Sequence, residues 1–127
     1  MKINSGLYQL TIMLQKTIDI SVGKLGSFTF PEGYYIYTGS AKRNRESRIA
    51  RHLNKHKKPH WHIDYLTQYG NVIHVKRYNG KLSECELNGK IQISYDADII
   101  AKGFGSSDCS CTTHLFYLGL SSSPRRK

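Results

Sequence analysis

The sequence predicts an α/β domain of the α+β type, with a small, largely antiparallel sheet flanked by helices. Two observations lead to this fold class. Short apolar and alternating segments separated by glycine and proline turns fill the first third of the chain, which indicates an antiparallel meander. A basic segment with helical spacing follows, and shorter strand and helix patterns come after it. We expect one domain over residues 1–118 and a mobile basic tail over residues 119–127.

The first third of the chain contains four predicted strands. Residues Leu7–Leu14 alternate between apolar and polar side chains, which is the period of a half-buried strand. Thr17–Val22, Ser27–Phe30 and Gly33–Gly39 are the other three predicted strands. Glycines at positions 23 and 26 and the Pro31-Glu32-Gly33 segment supply the turns between them.

The segment from Lys42 to Lys58 predicts a strongly basic helix. Asn44 is a suitable N-cap, and Pro59 ends the helix near His56 because the residue before a proline is pushed out of the helical region. Eight of the 19 Lys and Arg residues lie in this segment, in a chain with a formal net charge of +10. Such charge predicts a polyanionic partner.

Two stripes are predicted on this helix. Ile49 and Leu53 are four residues apart and can face the core. A neighbouring cationic stripe at spacings of three and four contains Arg45, Arg48, His52 and Lys55. This stripe is either a solvated face or a binding surface, and the near absence of acids beside it favours nucleic acid as the partner.

Shorter elements follow the basic helix. Residues 60–70 predict a short helix that ends at Gly70, and Val72–Tyr78 predicts a strand. Ser83 with Glu86 three residues later fits a capping box that opens another helix. His114–Leu118 is the last predicted strand.

Composition limits the class of protein. The 127 residues are 39% hydrophobic and 22% charged, and a chain of this length buries about two thirds of its unfolded surface. Its apolar runs are far shorter than the roughly 20 residues that cross a bilayer, so we expect no membrane partner. The N-terminal segment lacks the order of a signal peptide, and three cysteines without framework spacing are typical of reduced thiols. We therefore expect a cytoplasmic protein.

Two tyrosine tripeptides and an arginine helix occur in a specific order. The segments Gly6-Leu7-Tyr8 and Tyr37-Thr38-Gly39, then Ser40-Ala41 and Arg48-Ile49-Ala50-Arg51-His52, resemble the GIY-YIG endonuclease family. The resemblance covers residues 6–118 and is to a compact, stand-alone subgroup of that family. Leu7 and Thr38 replace the isoleucines of the motif, a longer hairpin separates the tripeptides, and the arginine lies one position later than usual.

The resemblance implies an enzyme, a metal-dependent endonuclease that hydrolyses phosphodiester bonds in DNA. The small size of the domain leaves little surface for reading a long sequence, so we expect structure-selective or weakly sequence-selective cleavage. The resemblance also implies that Tyr8, Tyr37, Arg48 and His52 are catalytic. Tyr8 would act as the base or orient the attacking water, Tyr37 would support the same site, and Arg48 would stabilise the transition state. RNA stays open as a substrate because phosphate contacts do not identify the sugar, and a protein partner could supply targeting.

The cofactor implied by the resemblance is one divalent ion, Mg²⁺ or Mn²⁺, held by a single glutamate. Glu84 is the favoured ligand because it precedes Leu87 by three residues, and Glu86 is the alternative. Zinc is not expected, because Cys109-x-Cys111 is a poor chelate even with His114 nearby.

Further residues are candidates for binding. The nucleic-acid-binding candidates are Lys42, Arg43, Arg45, Arg51 and Lys55, and additional site candidates are Gly39, His62 and His114. Trp61 either stacks on a base or packs in the core. The tyrosines also have a purely structural alternative as core residues. The alternative function is a non-catalytic nucleic-acid-binding module on the same scaffold, which the basic helix and the open choice of metal-binding glutamate support.

Overall fold

The computed structural model describes residues 6–41, 43–54, 58, 61–78, 84–95, 97–105 and 113–120, with the backbone alone for residues 84, 85, 92, 94 and 95. The described elements are, in chain order, β1 Gly6–Leu14, β2 Ile18–Val22, a 3-10 turn at Gly23–Leu25, β3 Gly26–Phe30, β4 Gly33–Ala41, α1 Arg45–Leu53, α2 His62–Thr67, β5 Asn71–Arg77, α3 Glu84–Tyr95 and β6 Leu115–Gly119. The fold is α+β with a small antiparallel sheet, which confirms the predicted class.

The main sheet has four strands in the order β5-β1-β4-β6, and each neighbouring pair is antiparallel. Strands β2 and β3 form a separate two-stranded sheet, which is the hairpin between β1 and β4. The two tyrosine-bearing strands are therefore adjacent in the middle of the main sheet. In their ladder Tyr8 is paired with Gly39 and Leu10 with Tyr37.

Successive side chains on a strand point to opposite faces of the sheet, and both faces of this sheet are buried. One face carries Tyr8 and Tyr37 and packs, with the hairpin, against apolar residues of α1 and α2 such as Ile49 and Ile63. The other face carries Ile36 and packs against the α3 side of the molecule. Helices thus flank the sheet on both sides, as the sequence predicts.

Tyr35 is a core residue. Its side chain is fully buried, and its hydroxyl donates to the Pro31 carbonyl at 2.5 Å. Burial, followed by the nearby Tyr117, raises the pKa of the Tyr35 phenol above its usual value, so the phenol stays protonated. Tyr35 and Tyr37 both belong to the core cluster on this face of the sheet.

Helix α1 begins after Asn44, as predicted, but ends earlier than predicted. Asn44 precedes the helix but has a left-handed backbone, with φ 57°, and makes no side-chain capping bond. The Asn44 carbonyl accepts from the Arg48 N–H at 3.1 Å, so its backbone still starts the helix. The described helix ends at Leu53, which is 52% exposed and does not face the core. Residues 55–57 and 59–60 lie outside the described residues.

The predicted cationic stripe on α1 is wrong at two positions. Arg45 and His52 are buried, with 2% and 1% exposure, and share the inner face of the helix with Ile49. The Arg45 guanidinium donates through Nη1 to the Leu7 carbonyl at 3.3 Å and to the Tyr78 carbonyl at 2.9 Å. A buried guanidinium that is bonded to backbone carbonyls joins the helix to β1 and β5 and does not meet a polyanion.

Several predictions fall outside the described residues. These are the nucleic-acid-binding candidates Lys42 and Lys55, the Asn79-Gly80 turn, the capping residue Ser83, the cysteines at positions 109 and 111, and the tail after residue 120. Within the part of the chain that the structure describes, no helix is long and apolar enough to span a bilayer.

Candidate active site

Tyr8 and His52 form a buried hydrogen-bonded pair. The Tyr8 hydroxyl lies 2.8 Å from His52 Nε2, although the residues are 44 positions apart in the chain. Each side chain is 1% exposed, and the ring centroids are 5.5 Å apart. Strand β1 directs Tyr8 towards the helical face of the sheet, and the last turn of α1 directs His52 back towards it. With Nε2 unprotonated, the phenol donates to the imidazole.

Tyr37 and Gly39 complete this side of the sheet. The Tyr37 ring meets the His52 ring edge to face, with 6.1 Å between centroids, and Tyr37 is 8% exposed. Gly39 is directly opposite Tyr8, and a Cβ atom at this position would lie 2.6 Å from both Cζ and the hydroxyl of Tyr8. The structure therefore brings Tyr8, Tyr37, Gly39 and His52 together.

Arg48 lies on the half-buried side of α1, next to this cluster. Its Cζ is 4.7 Å from the centroid of the Trp61 ring, and its Nη1 donates to the Ser40 carbonyl at 2.5 Å. The Trp61 ring is in turn 5.9 Å from the His52 ring. Among the described residues Arg48 has no acidic partner, so its positive charge is available to an anion.

Arg51 has a different environment from Arg48. Its Cζ is 5.2 Å from the Trp61 centroid. Its Nη2 donates to Asp64 Oδ2 and to the Lys58 carbonyl, each at 3.0 Å. Because the Asp64 side chain is completely buried, this ion pair fixes α1 against α2 and offsets much of the charge of Arg51. Arg51 is therefore a weaker anion-binding candidate than its position in the sequence suggests.

His62 is linked to Tyr37 through the ring of Phe104, which contacts both side chains. Its Nδ1 accepts a hydrogen bond from the Gly105 N–H at 2.8 Å, so the neutral ring carries its proton on Nε2. Burial lowers the pKa of His62, against a smaller raising effect of a backbone bond with Gly103. A Cβ on Gly105 would lie 2.9 Å from Cε1 of Tyr37, which places this imidazole near the second tyrosine.

Sequence reasoning identified His114 in this part of the chain as a site candidate but missed Phe104. Phe104 is fully buried, and its ring contacts Tyr37 and His62 with centroid distances of 6.3 and 5.7 Å. His114 is 1% exposed, and its backbone bridges the Thr38 N–H and the Phe104 carbonyl at 3.0 and 2.8 Å. The glycines at 103 and 105 were the available signal, since both adopt positive φ beside this aromatic residue.

The described donors do not by themselves form a metal site. Among described residues, no group of three or more His, Cys, Asp or Glu side chains is close enough to hold an ion. Glu84 begins α3, but its side chain lies outside the description, and Glu86 is exposed. Of the acidic side chains described on α1 and α2, Glu46 binds Arg77 through two contacts of 2.7 Å, and Asp64 binds Arg51.

Comparison with known proteins gives a family and no activity. The matching family model is described as a domain of unknown function, DUF123, and it covers residues 7–127. This range includes every residue of the candidate site, from Tyr8 on β1 to His114 before β6. No curated protein and no solved structure matches the chain. Because the family model covers nearly the whole sequence, the chain belongs to the DUF123 family.

Proposed function

We propose that this protein is an endonuclease that hydrolyses phosphodiester bonds in DNA. The observation that carries the proposal is the 2.8 Å contact between the Tyr8 hydroxyl and His52 Nε2, with the Arg48 guanidinium on the same helix as His52. Phosphodiester hydrolysis needs a group that takes a proton from water and a cation beside the phosphate as its charge grows. This cluster offers one group of each kind.

Proton transfer is the role of the tyrosine and histidine pair. As the attacking water loses a proton to the Tyr8 oxygen, the phenol proton passes to His52 Nε2. The transfer leaves a neutral phenol and an imidazolium, so no isolated phenolate has to form at neutral pH, where a free phenol with a pKa near 10 is protonated. The water oxygen bonds to phosphorus while the bond from phosphorus to the leaving 3′ oxygen breaks, and that oxygen takes a proton from solvent. Tyr37 lies against the His52 ring and is 8% exposed, against 1% for Tyr8, so in this proposal the phosphate approaches from the Tyr37 side.

Charge stabilisation is the role of Arg48. A guanidinium is a planar cation that can bind two phosphate oxygens at once. The contact with the Ser40 carbonyl uses Nη1, which leaves donors on the other nitrogens for the phosphate. Arg51 does not serve equally well because Asp64 already holds its guanidinium.

The charge of the whole chain supports a nucleic-acid substrate. The formal net charge is +10, and Arg43 is exposed just before α1. An excess of positive charge near a phosphate site raises the rate of encounter with a polyanion. We include Mg²⁺ or Mn²⁺ and its ligand Glu84 in the proposal as the cofactor implied by the resemblance. A cytoplasmic location and a partner that supplies targeting are part of the same proposal.

A second candidate function is a nucleic-acid-binding module without catalysis. The observation that favours it is burial, because Tyr8 and His52 are each 1% exposed. In this case their hydrogen bond would only stabilise the fold, and Arg48 and Arg43 would bind phosphates. The two functions differ in whether substituting Arg48 affects a cleavage rate or affinity alone.

The test offers labelled duplex, nicked, branched and single-stranded DNA, and RNA, to the parent protein with Mg²⁺, with Mn²⁺ and with EDTA. We expect DNA cleavage, and Arg48→Ala should slow it by about 100-fold or more while affinity falls modestly. Arg43→Ala is the matched control, since it removes an exposed arginine nearby and should change affinity alone. If all substrates stay intact under every condition but binding depends on salt, the nuclease function is excluded and the binding module is supported. Affinity that does not depend on salt would contradict both functions.

A further inference from the structure

We infer that Trp61 is a positioning residue that holds the Arg48 guanidinium at the phosphate site. This inference rests on the proposed function only in identifying the anion as a phosphate of the substrate. The alternative use of an aromatic residue in such a site is stacking on a nucleobase. The contacts of the indole favour the first role.

The indole face is already used by cations. The Cζ atoms of Arg48 and Arg51 lie over the Trp61 ring, at 4.7 and 5.2 Å from its centroid. These distances are within the range of cation–π contacts, for which tryptophan is the best ring. His52 contacts the same side chain at 5.9 Å. A nucleobase would compete with these guanidiniums for the ring surface.

Trp61 is itself held firmly by the start of α2. The Asp64 carboxylate accepts the Trp61 backbone N–H at 2.9 Å through Oδ2, and the same oxygen accepts from Arg51 at 3.0 Å. The Asp64 N–H in turn donates to the Trp61 carbonyl at 3.0 Å. A completely buried carboxylate therefore fixes the backbone of the residue on which Arg48 lies.

The consequence for Arg48 is restricted motion. A free arginine side chain samples many rotamers, and ordering them costs conformational entropy when an anion binds. Here the Trp61 face and the Ser40 carbonyl hold the guanidinium before the phosphate arrives. Removing the ring should leave the charge of Arg48 intact but make its position variable.

The experiment is a double-mutant cycle of Trp61→Leu and Arg48→Ala, with Trp61→Phe as the conservative variant. Affinity for a labelled DNA duplex in EDTA is measured by anisotropy, and the single-turnover cleavage rate is measured with Mg²⁺. We expect Trp61→Leu to weaken duplex affinity and, where the parent cleaves, to lower the rate about tenfold, with Trp61→Phe recovering most of both. In the Arg48→Ala background Trp61→Leu should have no further effect.

A second readout uses the fact that Trp61 is the only tryptophan of the chain. Its emission should change when unlabelled duplex is added to the parent, and the change should be absent in Arg48→Ala. Equal losses of affinity from Trp61→Leu with and without Arg48 would overturn the inference and indicate base stacking or a general structural effect. The parent protein could instead bind DNA without cleaving it while the effects of the two substitutions on affinity stay non-additive. That result would overturn the nuclease proposal but support the positioning role of Trp61.

Discussion

Gly39 faces Tyr8 across the β1–β4 ladder, so close that a Cβ atom would lie 2.6 Å from the phenol oxygen. We predict that Gly39→Ala displaces the buried Tyr8 ring, breaks its bond to His52 and removes cleavage, at a cost of about 1–3 kcal/mol in the free energy of unfolding. Urea unfolding and the cleavage assay measure the two effects.

The control for this substitution is Gly89→Ala. A Cβ at Gly89 meets no atom within 4 Å, and the residue lies inside α3. Alanine there should raise the free energy of unfolding by about 0.5–1 kcal/mol through helix propensity and leave cleavage unchanged. A Gly39→Ala protein as active as the parent would show that the Tyr8 ring does not need its present position.

Tyr8→Phe tests the phenol oxygen without changing the ring. The substitution leaves the buried His52 Nε2 without its 2.8 Å partner, which should cost about 1–3 kcal/mol of stability. We expect cleavage to fall by at least about 100-fold and duplex affinity to stay within a factor of two or three. Single-turnover rates and anisotropy measure these quantities. Retention of the parent rate would assign the proton transfer to another group.

Substituting Arg45 should affect stability, whereas substituting Arg43, two residues earlier, should affect DNA binding. Arg45→Met removes the donor to two backbone carbonyls from a buried position and should lower the free energy of unfolding by about 1–3 kcal/mol. Arg43→Met should leave stability unchanged and lower the slope of log affinity against log salt by about one. Urea unfolding and binding titrations at several salt concentrations separate the two residues. A reduced salt slope in Arg45→Met would restore Arg45 to the binding surface.

The lowered pKa of His62 predicts that the free energy of unfolding depends on pH. Burial lowers its pKa in the folded protein, so the unfolded chain binds more protons at pH values between the lowered pKa and the usual value near 6.5. The contribution of this group to stability is therefore complete above pH 6.5 and is lost as the pH falls. His62→Asn keeps an acceptor for the Gly105 N–H but does not titrate. The urea midpoint of the variant should fall less than that of the parent between pH 7.5 and 5.5, and equal losses would contradict this role.

The strands were the most predictable part of the fold. The alternation in Leu7–Leu14 gives β1 almost residue for residue, because one face of this strand is completely buried and the period is then enforced. The proximity of Tyr8 and Tyr37 was implied by the resemblance alone. The pairing of β1 with β4 around an intervening hairpin supplies the physical basis for it.

The environment of each cation on α1 could not be predicted from spacing. Arg45, Arg48 and His52 follow one another at helical intervals, yet two of the three are buried. The reason is tertiary: the ends of β1 and β5 present carbonyls to Arg45, and β1 presents a phenol to His52. The role of Phe104 was equally hidden, because it depends on a contact between segments more than 60 residues apart, Phe104 with Tyr37.

The ladder between β1 and β4 runs without interruption over nine residue pairs, from Gly6 with Ala41 to Leu14 with Gly33. A slip of one position would turn Tyr8 to the far side of the sheet and bring Gln9 into its place. Any attempt to transplant this site into another scaffold must therefore carry both full-length strands in register. A graft of the individual side chains alone would lose the alignment that brings them together.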